Sequence, residues 1–231
     1  MPFRTLALTG GGTTLLAPDR AGPLLLVAGL SRNFGEHPVL AGVDLEVGWG
    51  EAVAVVGPNG SGKTTLLRCV AGSDRPSAGT VELCGRPLQE PVPAIRRQVA
   101  SLVEEIEFFA DLSVREHLAL LMCAHGDDAP DDHAAELLSE AGLVSAADQL
   151  PAGLSSGQRR RLALATCFAR PRILMLLDEP EQRLDRAGRH WLASRLLAEK
   201  AAGHGVLFAS HDRALVRATA DRVINLGGTS G

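Results

Sequence analysis

A glycine-rich segment in the first third of the chain has the residue types needed to hold phosphate groups. Residues 57–65 read GPNGSGKTT, which matches the pattern G-x-x-x-x-G-K-[ST]. Glycines allow successive backbone N–H groups to converge on an anion, and a helix beginning here adds its positive dipole end. Lys63 offers an ammonium group to the β- and γ-phosphates of a nucleotide, and Thr64 offers a hydroxyl group to Mg²⁺. The segment therefore predicts a nucleotide-phosphate site.

Two acidic residues follow a buried-strand pattern further along the chain. Residues 173–177 are five apolar residues in a row, and Asp178 and Glu179 come directly after them. A run that is apolar on both faces is typical of a central strand in a covered parallel sheet. Open α/β sheets bind ligands at the carboxyl ends of such strands. Asp178 could instead cap a helix, but the phosphate loop upstream favours a functional site.

The remaining pattern alternates short strands and helices. Strands are predicted at 24–27, 43–47, 53–56, 80–83, 173–177 and 206–209, and helices at 65–71, 115–122, 134–141, 157–170 and 189–200. A turn-rich stretch with Gly35, Pro38 and Gly42 separates the first two strands, and an acidic loop at 127–132 separates two helices. The β–α alternation around a helical middle predicts an α/β fold with a helical insertion.

Composition excludes several classes of function. Charged residues are 22% of the 231, hydrophobic residues 45%, and the net charge is −4, which describes a folded globular chain without a basic field for nucleic acid or anionic lipid. Aromatic residues are only 3%, with no Tyr, which argues against a base-stacking platform for nucleic acid. No apolar run approaches 18 residues, and no signal peptide is expected. Four widely spaced cysteines predict free thiols in a reducing compartment.

A third motif carries a family resemblance. Residues 154–158 read LSSGQ and open a basic helix with three consecutive arginines. This resembles the LSGGQ signature of ABC ATPases, with Ser156 in place of the first glycine. Phe34 lies upstream of the phosphate loop, where that family has an adenine-stacking aromatic residue. The segment 181–185, EQRLD, resembles the D-loop, and His211 resembles the switch histidine.

The resemblance implies a fold and a domain organisation. The fold is α/β, a P-loop NTPase with a RecA-like core sheet, an antiparallel β subdomain and an ABC-specific α-helical subdomain. The ATPase domain is expected at 24–226, with the helical subdomain at about 95–170. Residues 1–23 and 227–231 are expected to be tails, the first of them disordered.

It also implies a nucleotide site shared between two subunits. A homodimer would enclose two ATP molecules, each between the phosphate loop of one subunit and the signature of the other. The ATP-binding residues implied are Phe34, Gly57, Pro58, Asn59, Gly60, Ser61, Gly62, Lys63, Thr64 and Thr65. The signature residues, acting in trans, are Leu154, Ser155, Ser156, Gly157 and Gln158, and the D-loop residues are Leu184 and Asp185. The signature is expected to cap its own helix as well.

Individual roles follow from the same resemblance. Thr64 is expected to bind Mg²⁺ directly, and Asp178 to bind it through a water molecule. Glu179 is expected to act as general base on the attacking water. His211 is expected to contact the γ-phosphate, so the catalytic set is Glu179, His211 and Lys63. Phe34 has a second interpretation, as a core side chain.

One position departs from the family pattern. The family has a glutamine, the Q-loop residue, after the strand at 98–103, and this chain has Glu104 there. Glu105 and Glu107 are the candidates if the register differs. A carboxylate at this position is a candidate Mg²⁺ ligand and predicts altered hydrolysis rather than altered ATP binding.

The resemblance favours the ATP-hydrolysing subunit of an ABC transporter. It would work with a separate membrane permease, peripheral to the cytoplasmic face of the cell membrane, without nucleic acid. The wording LSSGQRRRL leans toward exporter types such as haem-export or ABC-2. Two alternatives stay open: a soluble ABC ATPase of an assembly machine, and an ATP-gated binding module with little turnover. The permease selects the substrate in this family, so the substrate does not follow from this chain.

Overall fold

The described residues form two sheets and six α-helices. The computed structural model describes residues 21–88 and 98–227. Its strands are β1 (Leu25–Phe34), β2 (His37–Val47), β3 (Ala52–Val56), β4 (Ala78–Leu83), β5 (Arg86–Pro87), β6 (Val99–Leu102), β7 (Leu174–Asp178), β8 (Gly205–Ala209) and β9 (Arg222–Asn225). Its helices are α1 (Lys63–Ala71), α2 (Val114–Ala124), α3 (Pro130–Glu140), α4 (Ser156–Phe168), α5 (Arg186–Ala201) and α6 (Arg213–Thr219), with 3₁₀ turns at Val144–Ala146 and Pro151–Gly153.

A five-stranded parallel sheet in the order β6-β7-β8-β3-β9 forms the centre of the fold. In β7, Leu174 and Leu176 pack into one hydrophobic core, while Met175 and Leu177 pack into the other. Alternate residues therefore face opposite layers, and both layers are covered. The prediction that 173–177 is a central, doubly buried strand is confirmed.

A four-stranded antiparallel sheet, in the order β2-β1-β4-β5, covers one face together with α1. The sequence predicted a turn-rich stretch between short strands at 24–27 and 43–47, and this was wrong. Gly35 lies in the turn, but Pro38 and Gly42 lie inside β2. Pro38 is tolerated because β2 is an edge strand, and Gly42, at φ 62°, lies in a strand pairing interrupted by register shifts.

Helices α2, α3 and α4 cover the other face of the parallel sheet. The acidic segment 127–132 was predicted as a loop, and the structure shows that α3 begins within it. Pro130 is the first helical residue, with Asp131 and Asp132 in the first turn. Proline is favoured at that position, and carboxylates stabilise the positive end of the helix dipole.

The domain boundaries stay predictions. The tail at 1–23 lies outside the described residues except for 21–23, and the tail at 227–231 lies outside them except for Gly227. The helical subdomain was placed from about residue 95, but β6 belongs to the core sheet, and from residue 98 onward the first helix of this segment begins at Val114. Within 21–88 and 98–227, no helix is both long and apolar enough to cross a membrane.

Candidate active site

The phosphate loop joins β3 to α1 and closes around the Lys63 side chain. Lys63 is the first residue of α1, and its Nζ donates to the carbonyl oxygens of Gly57 at 3.0 Å and Pro58 at 2.9 Å. The side chain is only 6% exposed. The ammonium is therefore held inside the loop, where its charge can meet an anion.

The loop requires glycine for steric reasons. A Cβ on Gly57 would stand 2.1 Å from the carbonyl oxygen of Leu226, and a Cβ on Gly62 would stand 2.7 Å from Leu40 Cδ2. Both glycines also have positive φ angles, which L side chains rarely adopt. The Ser61 hydroxyl is buried without a hydrogen-bond partner. An unsatisfied hydroxyl in a loop of this shape fits a phosphate oxygen.

Two oxygen-bearing side chains meet at the end of the loop. The Thr64 hydroxyl donates to Asp178 Oδ2 at 2.6 Å. The second oxygen, Asp178 Oδ1, is buried and has no hydrogen-bond partner. A hydroxyl and a carboxylate are the hard oxygen ligands that Mg²⁺ prefers. Thr64 and Asp178 therefore fit the cation expected with a nucleotide.

Glu179 stands beside them in an uncommon backbone conformation. Its φ is 44°, and its N–H donates to the carbonyl oxygen of Ala209 on β8. Glu179 Oε1 lies 3.1 Å from His211 Nε2, and Glu179 Oε2 accepts from the Gln182 side chain. A strained backbone in a cluster of polar side chains is typical of a functional site. The structure therefore brings Glu179 and His211 together.

A cavity of about 350 Å³ opens at this edge of the sheet. Its lining residues are Thr64, Leu102, Val103, Glu104, Glu105, Arg160, Asp178, Glu179, Gln182 and Arg183. Glu104 lines this cavity, and its Oε1 lies 3.7 Å from Arg68 Nε. Glu105 lines the same cavity, whereas Glu107 is not among the described lining residues. The cavity is therefore lined by the Thr64 side chain and by four carboxylates, those of Glu104, Glu105, Asp178 and Glu179.

Phe34 lies at the end of β1 with its side chain largely in solvent. It is 48% exposed, and the Arg32 guanidinium stacks 4.3 Å from the ring centroid. The interpretation as a core side chain was wrong, because the ring packs into neither core. An exposed aromatic face next to a cation suits stacking on a planar base.

The signature residues lie at the start of α4 and serve their own helix. Ser155 is the N-cap, its Oγ accepts from the Gln158 N–H, and Gln158 Oε1 accepts from the Ser155 N–H. Leu154 is buried, whereas Ser155 and Ser156 are exposed. Among the described residues that line the cavity, none comes from 154–158. In one copy of the chain, the signature is therefore separate from the cavity.

The D-loop residues connect the site to α5. Leu184 is buried, and Asp185 caps α5 by accepting from the Gly188 N–H at 2.7 Å and from Arg161 at 2.5 Å. These hydrogen bonds lower the pKa of Asp185. Asp185 is therefore a charged helix cap at neutral pH.

Arg160 is a residue that the sequence analysis missed. Its guanidinium donates to the carbonyl oxygens of Asp178 at 2.8 Å, Glu179 at 2.7 Å and Pro180 at 3.4 Å. It therefore ties α4 to the loop that carries the acidic pair. Only the run of three arginines after the signature pointed to it, and that pattern also describes a solvated helix face.

The chain is similar to known ATP-binding proteins of transporters. The family model of the ABC transporter matches residues 40–182. The hemin import ATP-binding protein HmuV of Streptomyces coelicolor is 39% identical over 213 residues, which cover 89% of this chain and 76% of that protein. The sulfate/thiosulfate import ATP-binding protein CysA 2 of Chromobacterium violaceum is 36% identical over 202 residues, which cover 87% of this chain and 55% of that protein.

A bacterial ABC transporter cassette solved as a dimer has a similar fold, with a TM-score of 0.76 at 25% identity over 87% of this chain and 94% of that one. Import names outnumber export names among these relatives, one of which is the Nod factor export ATP-binding protein I of Cupriavidus metallidurans, so the names do not favour the leaning toward exporters. This chain spans little more than half of the sulfate/thiosulfate relative. The match over most of the chain confirms the predicted fold, and the chain belongs to the ABC transporter family, of which it carries the ATP-binding domain.

Proposed function

We propose that this chain binds ATP with Mg²⁺, hydrolyses it, and thereby energises a separate membrane permease. One observation carries the proposal: Thr64, next to Lys63 in the phosphate loop, donates to Asp178, and the adjacent Glu179 contacts His211, all at the carboxyl ends of strands in one parallel sheet. This is the edge at which open α/β sheets bind ligands. The five side chains together provide a cation, two oxygen ligands, a base and a histidine.

Each side chain has a distinct task in this proposal. Lys63 neutralises the charge of the β- and γ-phosphates from inside the loop. Thr64 and Asp178 hold Mg²⁺, which when bound neutralises the phosphate oxygens. Glu179 accepts a proton from the attacking water, and His211, on Glu179 Oε1, orients the water and the γ-phosphate.

The second half of the site comes from a second copy of the chain. The signature lies outside the cavity in one copy, and Ser156 is exposed at the beginning of α4. A helix N-terminus offers backbone N–H groups and a positive dipole end to a phosphate. We infer that ATP is enclosed between two copies, and the dimeric arrangement of the similar cassette supports this.

The permease is the proposed partner, and it holds the chain at the cytoplasmic face of the membrane. Relatives named as import ATP-binding proteins support a role in transport.

Glu104 favours a second candidate function, an ATP-gated module with slow turnover. A carboxylate in the cavity cannot donate a hydrogen bond to water or phosphate when it is ionised, whereas an amide can.

Two measurements test the proposal. Purified chain should release phosphate from ATP only with Mg²⁺, and Glu179→Gln should abolish this release. If a membrane permease is encoded next to this chain, proteoliposomes that contain both should transport substrate with wild-type protein and not with Glu179→Gln. Phosphate release without any permease-dependent transport would favour the assembly ATPase. Tight ATP binding without release, with or without a permease, would favour the ATP-gated module.

A further inference from the structure

A buried glutamate outside the predicted site connects its two acidic loops. Glu181 follows the strained Glu179 by two residues and is only 6% exposed. Its Oε1 accepts from the Ser210 hydroxyl at 2.6 Å, from the His211 N–H at 3.2 Å and from the Asp212 N–H at 3.3 Å. One carboxylate oxygen therefore gathers donors from three consecutive residues after β8.

Burying a carboxylate costs free energy unless hydrogen bonds or opposite charges compensate it. Ser210, which is 1% exposed, donates to Glu181 and also accepts from the Asp212 N–H at 3.0 Å. Burial lowers the pKa of Arg160, and the negative charge of nearby Glu181 opposes part of that lowering. Three hydrogen bonds to Oε1 and one neighbouring cation thus offset part of the cost of burying Glu181, whose Oε2 is buried without a hydrogen-bond partner.

Two independent contacts now join the loop after β7 to the loop after β8. The Glu181 carboxylate holds the backbone of His211, and the His211 side chain contacts Glu179 Oε1 at 3.1 Å. Glu181 is buried, and its Oε1 already accepts hydrogen bonds from Ser210, His211 and Asp212 of the loop after β8. Its effect on the reaction must therefore pass through another residue.

We propose that Glu181 is a positioning residue that places His211 against Glu179 for hydrolysis. The proposal rests on the function proposed for His211 and Glu179. The physical reason is that a histidine on a loop must be held within a fraction of an ångström to orient water and phosphate. Ser210 and Glu181 supply that restraint through the backbone rather than through the imidazole ring.

A double-mutant cycle tests the proposal. Glu181→Leu keeps the volume but removes the acceptors, and it should lower kcat about 10- to 100-fold while the KM for ATP changes little. Glu181→Gln keeps an acceptor oxygen and should retain most of the activity. The double variant Glu181→Leu with His211→Ala should be no slower than His211→Ala alone, because both changes remove the same effect.

Controls separate positioning from general loss of stability. Glu199 is also a buried, hydrogen-bonded glutamate, and it lies away from the cavity. Glu199→Gln should lower the unfolding temperature without lowering kcat. If Glu181→Leu does not fold, Ser210→Ala removes the 2.6 Å hydrogen bond and takes its place in the cycle.

A second measurement does not need hydrolysis. The ring signals of His211 in an NMR spectrum, assigned by their loss in His211→Ala, should shift in Glu181→Leu and stay in place in Glu199→Gln. The proposal is overturned if the two rate losses multiply in the double variant, or if the His211 signals do not respond to Glu181→Leu. A wild-type chain that does not hydrolyse ATP would instead remove the proposed function, and the NMR comparison would still decide the role of Glu181.

Discussion

The Thr64 hydroxyl donates to Asp178 Oδ2 across 2.6 Å, although the two residues are 114 positions apart in the chain. Because the Thr64 hydroxyl donates its hydrogen to Asp178, the lone pairs of the Thr64 oxygen stay available to a cation. Asp178 Oδ1, buried without a partner, is the second oxygen available there. Under the proposed function, these two side chains would hold Mg²⁺.

Replacement of Thr64 by valine should separate Mg²⁺ binding from ATP binding. Valine keeps the shape but removes both the hydrogen bond and the oxygen ligand. We expect ATP affinity in Mg²⁺ to fall to the level measured in EDTA, in a titration with a fluorescent ATP analogue. Thr65→Val, at the adjacent position, is the matched control. Equal Mg²⁺ dependence in both variants would contradict the role of Thr64.

Loss of the Lys63 charge should remove ATP binding itself. Hydrogen bonds to charged groups contribute about 1.5–3 kcal/mol each, so Lys63→Ala should weaken ATP binding by about 100-fold or more. The chain has one other lysine, Lys200, which contacts Thr219 and Asp221 away from the cavity. Both variants can be compared by calorimetric titration with ATP, in which Lys200→Ala should bind ATP normally. Unchanged affinity in Lys63→Ala would remove the phosphate-loop assignment.

Glu179→Gln should bind ATP but not turn it over, because glutamine has the shape of glutamate without its basicity. With ATP and Mg²⁺ the variant should accumulate as a dimer on size-exclusion chromatography, whereas nucleotide-free wild type should stay largely monomeric. The exposed Glu136→Gln is the control for loss of one negative charge. No ATP-dependent dimer in either Glu179→Gln or wild type would contradict the shared site.

Glu104→Gln should raise basal ATPase activity. The amide adds a hydrogen-bond donor to the cavity and removes a negative charge beside the γ-phosphate, and one positioned donor contributes about 10²-fold in comparable sites. The Mg²⁺ concentration for half-maximal rate should rise, since a carboxylate ligand is lost. Glu107→Gln serves as the control. An unchanged rate and an unchanged Mg²⁺ titration would make Glu104 a surface residue only.

Acid should destabilise the fold through Glu199. Burial alone would raise the pKa of Glu199, but the His204 hydrogen bond and the Arg172 charge lower it from 4.5 to about 2. A lowered folded-state pKa gives stability that is present above pH 4.5 and is lost as pH falls toward about 2, on the order of 3 kcal/mol in total.

Thermal unfolding at several pH values checks this prediction. Wild type should lose stability steeply below pH 4.5. Glu199→Gln should start lower at pH 7 and lose less over the same range. Parallel curves for the two proteins would show that Glu199 does not supply the acid sensitivity.

The sequence predicted those features that local patterns determine. The glycines and Lys63 of the phosphate loop lie within nine consecutive residues, so the motif can be recognised from the sequence alone. The apolar run 173–177 likewise predicts a buried strand without any other information. Arg160 and Glu181 act across 18 to 31 positions, and nothing in their neighbours distinguishes them from solvated side chains. The β1–β2 hairpin was missed because Gly42 and Pro38 indicate turns locally, whereas edge position and register shifts accommodate them inside a strand.

Arg160 has a mechanical consequence. Its guanidinium binds three consecutive carbonyl oxygens of the loop that carries Glu179, and its helix α4 begins with the signature. A force applied to the signature by a partner's nucleotide would thus pass along less than two turns of helix to the base of its own site. In the proposed dimer, the position of each signature would thus be coupled, through Arg160, to the backbone of Glu179 in the same subunit.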